Sequence, residues 1–197
     1  MTKDLRILLV DHGDADAKLI SQELQGAGFD VTAQRAETRE GLVAALRDFN
    51  PHVVLSESGA GAVHARAAMD AVRAHTPTTP VIVVTDTIDG RAAVAAIRAG
   101  AEDIVVRSNI HRLPVAIQSA IAVRRPLQKL SPRQLQVLRL VAEGNTTPGI
   151  ARRLKLSDKT IDTHRGEVMK RLGIHDVVGL VRYALRVGIV PADTTES

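Results

Sequence analysis

The stretch Leu5-Arg6-Ile7-Leu8-Leu9-Val10-Asp11 decides the fold of the first two thirds of the chain. It is a short aliphatic run that stops on an acid. Such runs read as strands of a parallel sheet buried on both faces. Working outward, the same signal returns four times. Phe29–Gln34 is a weaker strand, Val53–Ser56 follows Asn50-Pro51, Pro80–Thr85 carries Val-Ile-Val-Val, and Ile104–Val106 is a short fifth. Helical segments lie between them. Asp14 is placed to cap a helix with Leu19, Ile20 and Leu24 on its apolar face, ended by Gly26 and Gly28. Thr38–Phe49 sets Leu42, Val43 and Leu46 on one face, Ala62–His75 is alanine-rich, Gly90–Ala99 closes at Gly100, and Leu113–Arg124 follows the fifth strand. Five strand–helix units in residues 1–125 predict an α/β domain with an open five-stranded parallel sheet. Function in such sheets sits at the carboxyl ends of the strands, here Asp11, Glu57, Thr85 and Arg107.

Composition narrows the function. The 197 residues are 45% apolar and 24% charged, close to a globular average. No apolar run approaches the ~18–20 residues of a membrane span, and the first residues show no signal-peptide pattern. These features predict a cytoplasmic protein with no membrane partner. Cysteine is absent, which excludes thiol catalysis, disulfides and cysteine-bound metals. Charge is uneven. Residues 1–125 hold 14 basic and 15 acidic side chains, net −1, whereas residues 126–197 hold 12 and 7, net +5. The basic part calls for an anionic partner. The aromatic residues are Phe29, Phe49 and Tyr183, too few for base stacking on single strands, so double-stranded DNA fits better.

The last third reads as an all-α four-helix unit. Residues 126–130 form a linker. Ser131-Pro132 is an N-cap followed by proline at the first helical position, and Leu135, Leu138 and Val141 give that helix its apolar face until Gly144. Thr146 or Thr147 caps a second helix, Ile150–Lys155, with Pro148 tolerable in its first turn. The turn Leu156-Ser157-Asp158 leads into a third, Lys159–Leu172, ended by Gly173. Asp176 caps a fourth that runs through Arg186. Helices two and three joined by a short turn make a helix-turn-helix. The domain boundaries expected are therefore 1–125, a linker at 126–130, a DNA-binding unit at 131–190 and a disordered tail at 191–197.

Two resemblances follow from these residues. "ILLVDHG", "PHVVLSES", "PVIVVTD" and "GAEDIVVRS" keep, without a gap, the spacing of a response-regulator receiver domain, a flavodoxin/CheY-like fold. "LSPRQLQVLRLVAEGNTTPGIARRLKLSDKTIDTHRGEVMKRLG" with "LVRYALRVGIV" resembles the LuxR-type helix-turn-helix of NarL/FixJ-type regulators. The first resemblance implies a pocket of two acids, a phosphorylated aspartate, a hydroxyl and a lysine, holding Mg²⁺. This chain departs from it. Asp11 keeps the first acid, but His12 replaces its partner. Glu57 stands at the phosphoacceptor position, Thr85 keeps the hydroxyl, and Arg107 replaces the lysine. The usual Met-Pro after the acceptor is Ala60-Gly61, and Ile104 replaces an aromatic on strand five.

Each departure has a consequence. Glu57 carries its carboxylate one methylene further, and misplacement by ~1 Å can cost ~10²-fold in such chemistry. Imidazole is a poor Mg²⁺ ligand. Arg107 is a planar fork able to clamp Glu57 bidentately. The expectation is a pseudo-receiver without aspartyl phosphorylation. Two readings of its pocket stand open: Glu57 with Arg107 and Thr85 mimics a phosphorylated state, or the pocket is an inert polar cluster. His12 is read as a polar loop residue, against a metal ligand or pH sensor. No metal site or cofactor is assigned. His52, His64, His75 and His111 are expected at the surface.

The second resemblance places base-reading residues at Asp162, Thr163 and Gly166. Asp162 would accept from cytosine N4, and Thr163 would touch a thymine methyl. Phosphate contacts are expected from Arg152, Arg153, Lys159, Thr160, Arg165, Lys170 and Arg171. Gln134 stands where a glutamate is common, which removes a charged cap interaction. Val178, Val181 and Leu185 offer a homodimer face, shared with the domain core. The function expected is a sequence-specific DNA-binding transcription regulator, and no enzyme, since no nucleophile–base pair or metal cluster stands out. Its input would be a signalling protein, a small ligand or its own abundance. The alternative is a protein-interaction module whose pseudo-receiver docks a partner, with DNA binding secondary.

Overall fold

A computed structural model describes residues 3–57, 65–87 and 90–190. Five strands form one parallel sheet in the order β2-β1-β3-β4-β5: β1 Lys3–Val10, β2 Phe29–Ala36, β3 Val53–Glu57, β4 Val81–Thr85 and β5 Asp103–Val106. The expected strands are all present, most of them a residue or two longer. Alternation along β1 divides the core. Leu5, Ile7 and Leu9 face α1 (Asp14–Gly26) and α5 (Leu113–Arg124). Leu8 and Val10 face α2 (Arg39–Asp48) and α3 (Ala65–His75). α4 (Gly90–Ala99) completes the set. The expected start of the third helix at residue 62, together with Ala60-Gly61, His64 and the 191–197 tail, lies outside the described residues.

Two local expectations change. Asp14 is not the cap of α1. Gly13 holds that position with no side-chain bond, and Asp14 sits in the first turn, where an acid complements the helix dipole. Residues Arg125–Lys129 are not an open linker. They form a 3-10 helix continuing from α5, and Leu127 is fully buried in the core of the last third. Pro126 tolerates this because it stands in the first turn. A second 3-10 helix, Arg107–Arg112, joins β5 to α5.

The last third packs α6 (Pro132–Ala142), α7 (Thr147–Leu154), α8 (Asp158–Leu172) and α9 (Val177–Arg186) around Val137, Leu138, Ile150, Ile161, Val168 and Leu180. Each helix has a side-chain N-cap: Ser131, Thr146, Ser157 and Asp176. Gln134 completes a capping box, accepting from Ser131 N–H at 2.9 Å, and its amide also donates to Glu167. The amide therefore does the acceptor's work of the glutamate it replaces. Lys155, expected inside a helix, is instead the left-handed C-cap of α7.

The two parts meet along a seam. Arg73 of α3 donates to Gly188 O at 3.1 Å. A Cβ placed on Gly188 would lie 3.0 Å from both Cα and O of Gly100, so backbone packs on backbone. Beside it, the buried Arg124 pairs with Glu102 at 2.6 Å and donates to Pro77 O and Thr79 O.

Candidate functional site

The sheet order reverses between β1 and β3, and in open parallel sheets the carboxyl ends of the strands at that switch point are where function sits. The chain leaves β1 through Asp11, which takes a left-handed backbone (φ 60) that a short polar residue tolerates. That turn places His12 under the start of α1. Glu57 is the last residue of β3, and Thr85 is the last of β4. Arg107 leaves β5 at the head of the 3-10 helix.

Arg107 organises the pocket. One guanidinium nitrogen lies 2.8 Å from Glu57 Oε1 and 2.9 Å from Asp16 Oδ2; the other lies 2.5 Å from Asp86 Oδ1. This differs from the expected bidentate clamp. The fork spans three carboxylates because Asp16, on the first turn of α1, and Asp86, just after β4, both reach it. Burial alone would lower the Arg107 pKa; hydrogen bonds to Glu57 and Asp86 and the charge of Asp16 outweigh it and raise the pKa. Thr85 is buried and its hydroxyl donates to Thr87 O at 2.8 Å.

His12 lies in the loop between β1 and α1, but it is buried there. It is 1% exposed, and neither ring nitrogen has a hydrogen-bond partner. Nδ1 is 4.0 Å from Asp16 Oδ2. Burial lowers its pKa, against the raising effect of Glu57 and Asp16. One donor atom each from His12, Asp16 and Glu57 lies within 4.8 Å of the others, so residues with metal-ligating chemistry do come together. That corrects the expectation that no such cluster stands out. These residues do not fit magnesium, which prefers an all-oxygen octahedron. One donor is an imidazole nitrogen, and a guanidinium already binds both carboxylates.

Sequence reading missed Asp16 and Asp86. Asp16 had a signal, the i,i+4 spacing from His12 across the strand–helix corner. Asp86 had only its adjacency to Thr85. Of the other histidines, His75 and His111 are exposed as expected. His52 is half-buried, and its Nδ1 accepts the Arg6 backbone N–H at 3.2 Å.

A second surface lies on α8. Asp162, Thr163 and Gly166 are exposed, with Lys159 one turn before them. Asp162 is paired with Arg165 at 2.9 Å and accepts from Thr147 Oγ1, to which Arg165 also donates. Thr163 Oγ1 donates to Lys159 O at 2.9 Å. Thr160 Oγ1 is 2.8 Å from Ser157 Oγ at the cap of the helix. Arg152, Arg153 and Lys170 are exposed; Arg153 also reaches Asn145 and Glu143. Arg171 is turned toward the linker and donates to Lys129 O. No helix among the described residues is long and apolar enough to cross a membrane.

A parallel receiver sheet with a charged switch-point pocket, followed by a basic helix-turn-helix, defines a two-part signalling regulator. Residues 7–118 match the response regulator receiver domain family, and residues 128–184 match the luxR family of bacterial regulatory proteins. The chain belongs to the response regulator family, in the branch of DNA-binding transcription factors rather than enzymes. It is similar to the transcriptional regulatory protein FixJ of Bradyrhizobium diazoefficiens, 27% identical over 205 residues covering 96% of this chain and 99% of that one. FixJ of Rhizobium meliloti is 35% identical over 128 residues, 57% of this chain and 63% of the relative. The crystal structure of full-length FixJ from B. japonicum is 25% identical with a TM-score of 0.51, covering 96% of this chain and all of that one.

Proposed function

We propose that this protein is a sequence-specific transcription regulator that reads double-stranded DNA and whose pseudo-receiver works without aspartyl phosphorylation. The observation that carries the reading is the three-carboxylate grip on Arg107, with Glu57 held at 2.8 Å where the family's acceptor stands. A carboxylate engaged by a fixed guanidinium is a poor nucleophile, and its extra methylene moves it off the in-line path. Arg107 then serves as a permanent internal cation, and Glu57 stands in for the phosphorylated state. The inert-cluster reading is less favoured, since Asp16 and Asp86 converge on the same guanidinium. Acetyl phosphate with Mg²⁺ should leave the mass of the protein unchanged. A phosphoryl adduct on wild type that is lost in Glu57→Gln overturns the reading.

Residues 1–125 are the sensing unit, 126–130 the joint, and 131–190 the DNA-reading unit, working in the cytoplasm. On DNA, Arg165 exchanges Asp162 for a backbone phosphate, which frees Asp162 for a base edge. Lys159, Arg152, Arg153, Thr160 and Lys170 add phosphate contacts; Arg171, already bound to Lys129 O, adds least. Arg165→Ala should weaken binding to all sequences and reduce the salt slope by about one. An unchanged slope removes Arg165 from the phosphate contacts. Val177 and Val178, exposed at the start of α9, support a homodimer, with half-sites ~10 bp apart. Val181 and Leu185 serve mainly the core.

One observation favours the second reading, an interaction module. α4 exposes Val94 and Ile97 at i,i+3 spacing, a small apolar strip open to a signalling partner. Selection from a random duplex pool with untreated protein separates the two. An enriched inverted repeat supports the regulator; no enrichment from a folded sample supports the module.

A further inference from the structure

We propose that the cleft between the two halves binds a small carboxylate with an apolar body. The cleft encloses about 430 Å³. Small-molecule sites occupy ~300–1,000 Å³ and favour domain interfaces. The site goes beyond the reading of the acidic pocket and does not depend on it, because it lies at the other end of the sheet. Asn50 precedes β3 and residues 76–78 precede β4, so this wall stands at the amino ends of the strands. The facing wall is α6.

Three observations choose the occupant. The first is the face that α6 presents. Pro132, Leu135, Gln136 and Arg139 all line the cleft. Their spacing of i, i+3, i+4 and i+7 is one stripe of a helix. Val137, Leu138 and Val141 meanwhile enter the core of the last third. The helix therefore turns a second face toward the sensing unit, and Pro132 and Leu135 join Pro77 and Ile189 in giving the cleft apolar surface.

The second is charge. Two arginines and no acid line the cleft among the described residues. Arg73 is committed to the fold: its three nitrogens go to Gly188 O, Asp70 and Ala99 O. Arg139 is not. Its Nε donates to Glu143 at 2.9 Å, and its two terminal nitrogens have no partner among the described residues. An ion pair this exposed is weak, and the open end of the guanidinium suits a carboxylate.

The third is Thr76. Its hydroxyl is buried without a hydrogen-bond partner, whereas buried polar atoms are normally satisfied. Thr76 lines the cleft, so a polar atom of the occupant supplies what the fold omits. One available guanidinium selects a single negative charge, since a polyphosphate needs several cations. A ligand seated here touches the segment before β4 and α6 together, and so ties the sensing unit to the DNA-reading unit.

The test uses the full-length protein with phenylbutyrate, its neutral amide, and inorganic phosphate as charge without a body. In an NMR titration phenylbutyrate should saturate at one per chain and move the amide signals around Thr76 and along α6. The neutral amide should bind about tenfold more weakly, because it loses the charged hydrogen bonds. Phosphate should not saturate over the same range. Arg139→Gln should weaken the acid about tenfold and leave the amide unchanged, so that the two probes become equal. Thr76→Val removes the orphan hydroxyl alone. It should weaken the acid a few-fold without lowering the melting temperature of the free protein. Any of four results overturns the proposal: no saturation, equal binding of acid and amide by wild type, unchanged acid affinity in Arg139→Gln, or signals that move on α8 instead. DNA and phosphoryl donors are absent from every arm, so a failure of the proposed function leaves this result standing, and the reverse.

Discussion

His52 shows what a single residue contributes once its partners are known. Its Nδ1 accepts the Arg6 backbone N–H, which requires the neutral ring. Burial, then the neighbouring Arg6 charge, lowers its pKa below the ordinary 6.5, with Asp4 opposing. In the unfolded chain the ring takes up a proton near 6.5; in the folded chain it does so only at lower pH. The stabilisation is therefore complete above about pH 6.5 and is lost as pH falls through the folded value. Urea midpoints measured down from pH 7 should decline below 6.5, and His52→Asn should make the decline shallower, since the Asn carbonyl accepts the same N–H without titrating. An identical slope in the variant would clear His52 of any part in it.

At the scale of the element, α8 carries its own compromise. Gly166 sits mid-helix with nothing within 4 Å of where its Cβ would be. Gly166→Ala should raise stability by about 1 kcal/mol, measured by denaturant titration. A loss of DNA affinity in the same variant would mean that the duplex approaches this backbone closely; unchanged affinity would leave Gly166 as a simple helix weakness. The cap at the other end works in the opposite sense. Ser157 accepts from Thr160 N–H at 3.1 Å, and Ser157→Ala should cost about 1 kcal/mol. Asp162→Ala belongs here too. It removes the intrahelical partner of Arg165 and should change which sequences are preferred more than how tightly DNA in general is held. The same enriched site before and after would refute a reading role for Asp162.

For the whole molecule, the seam between the halves decides how rigidly the pocket and α8 are coupled. Gly188 has φ +64 and rests against the Gly100 backbone. Gly188→Val would be strained at that φ and would also wedge the seam. A melting temperature below wild type and faster proteolysis at residues 125–130 should follow. A variant as stable and as resistant as wild type would show that the seam does not hold the halves together. Glu102→Ala tests the ion pair behind it. Arg124 would be left as a buried charge without its acid, at a cost of about 3–5 kcal/mol.

Much of the fold was written locally. The aliphatic runs ending at Asp11, Glu57 and Thr85, the glycines at Gly100 and Gly173, and the caps Ser131, Ser157 and Asp176 each fix their own neighbourhood. Strand and helix signals depend on residues a few positions apart, so they survive in the one-dimensional chain. The charge imbalance toward the last third was equally plain, because charge is additive. The partners of Arg107 were not legible. Asp16 and Asp86 lie 91 and 21 positions away from it, and only the sheet order β2-β1-β3-β4-β5 brings the ends of β1, β4 and β5 to one side of the sheet. Whether His12 faces water or the interior turned on the left-handed corner at Asp11 and on how α1 packs across the strand ends. The residues at 126–130 read as a linker; Arg125–Lys129 are instead a packed 3-10 helix because Leu127 finds a core built from residues up to 63 positions further on. The sequence determined which elements form and what charge they carry. Tertiary packing alone decided which charges meet, since that depends on contacts between residues far apart in the chain.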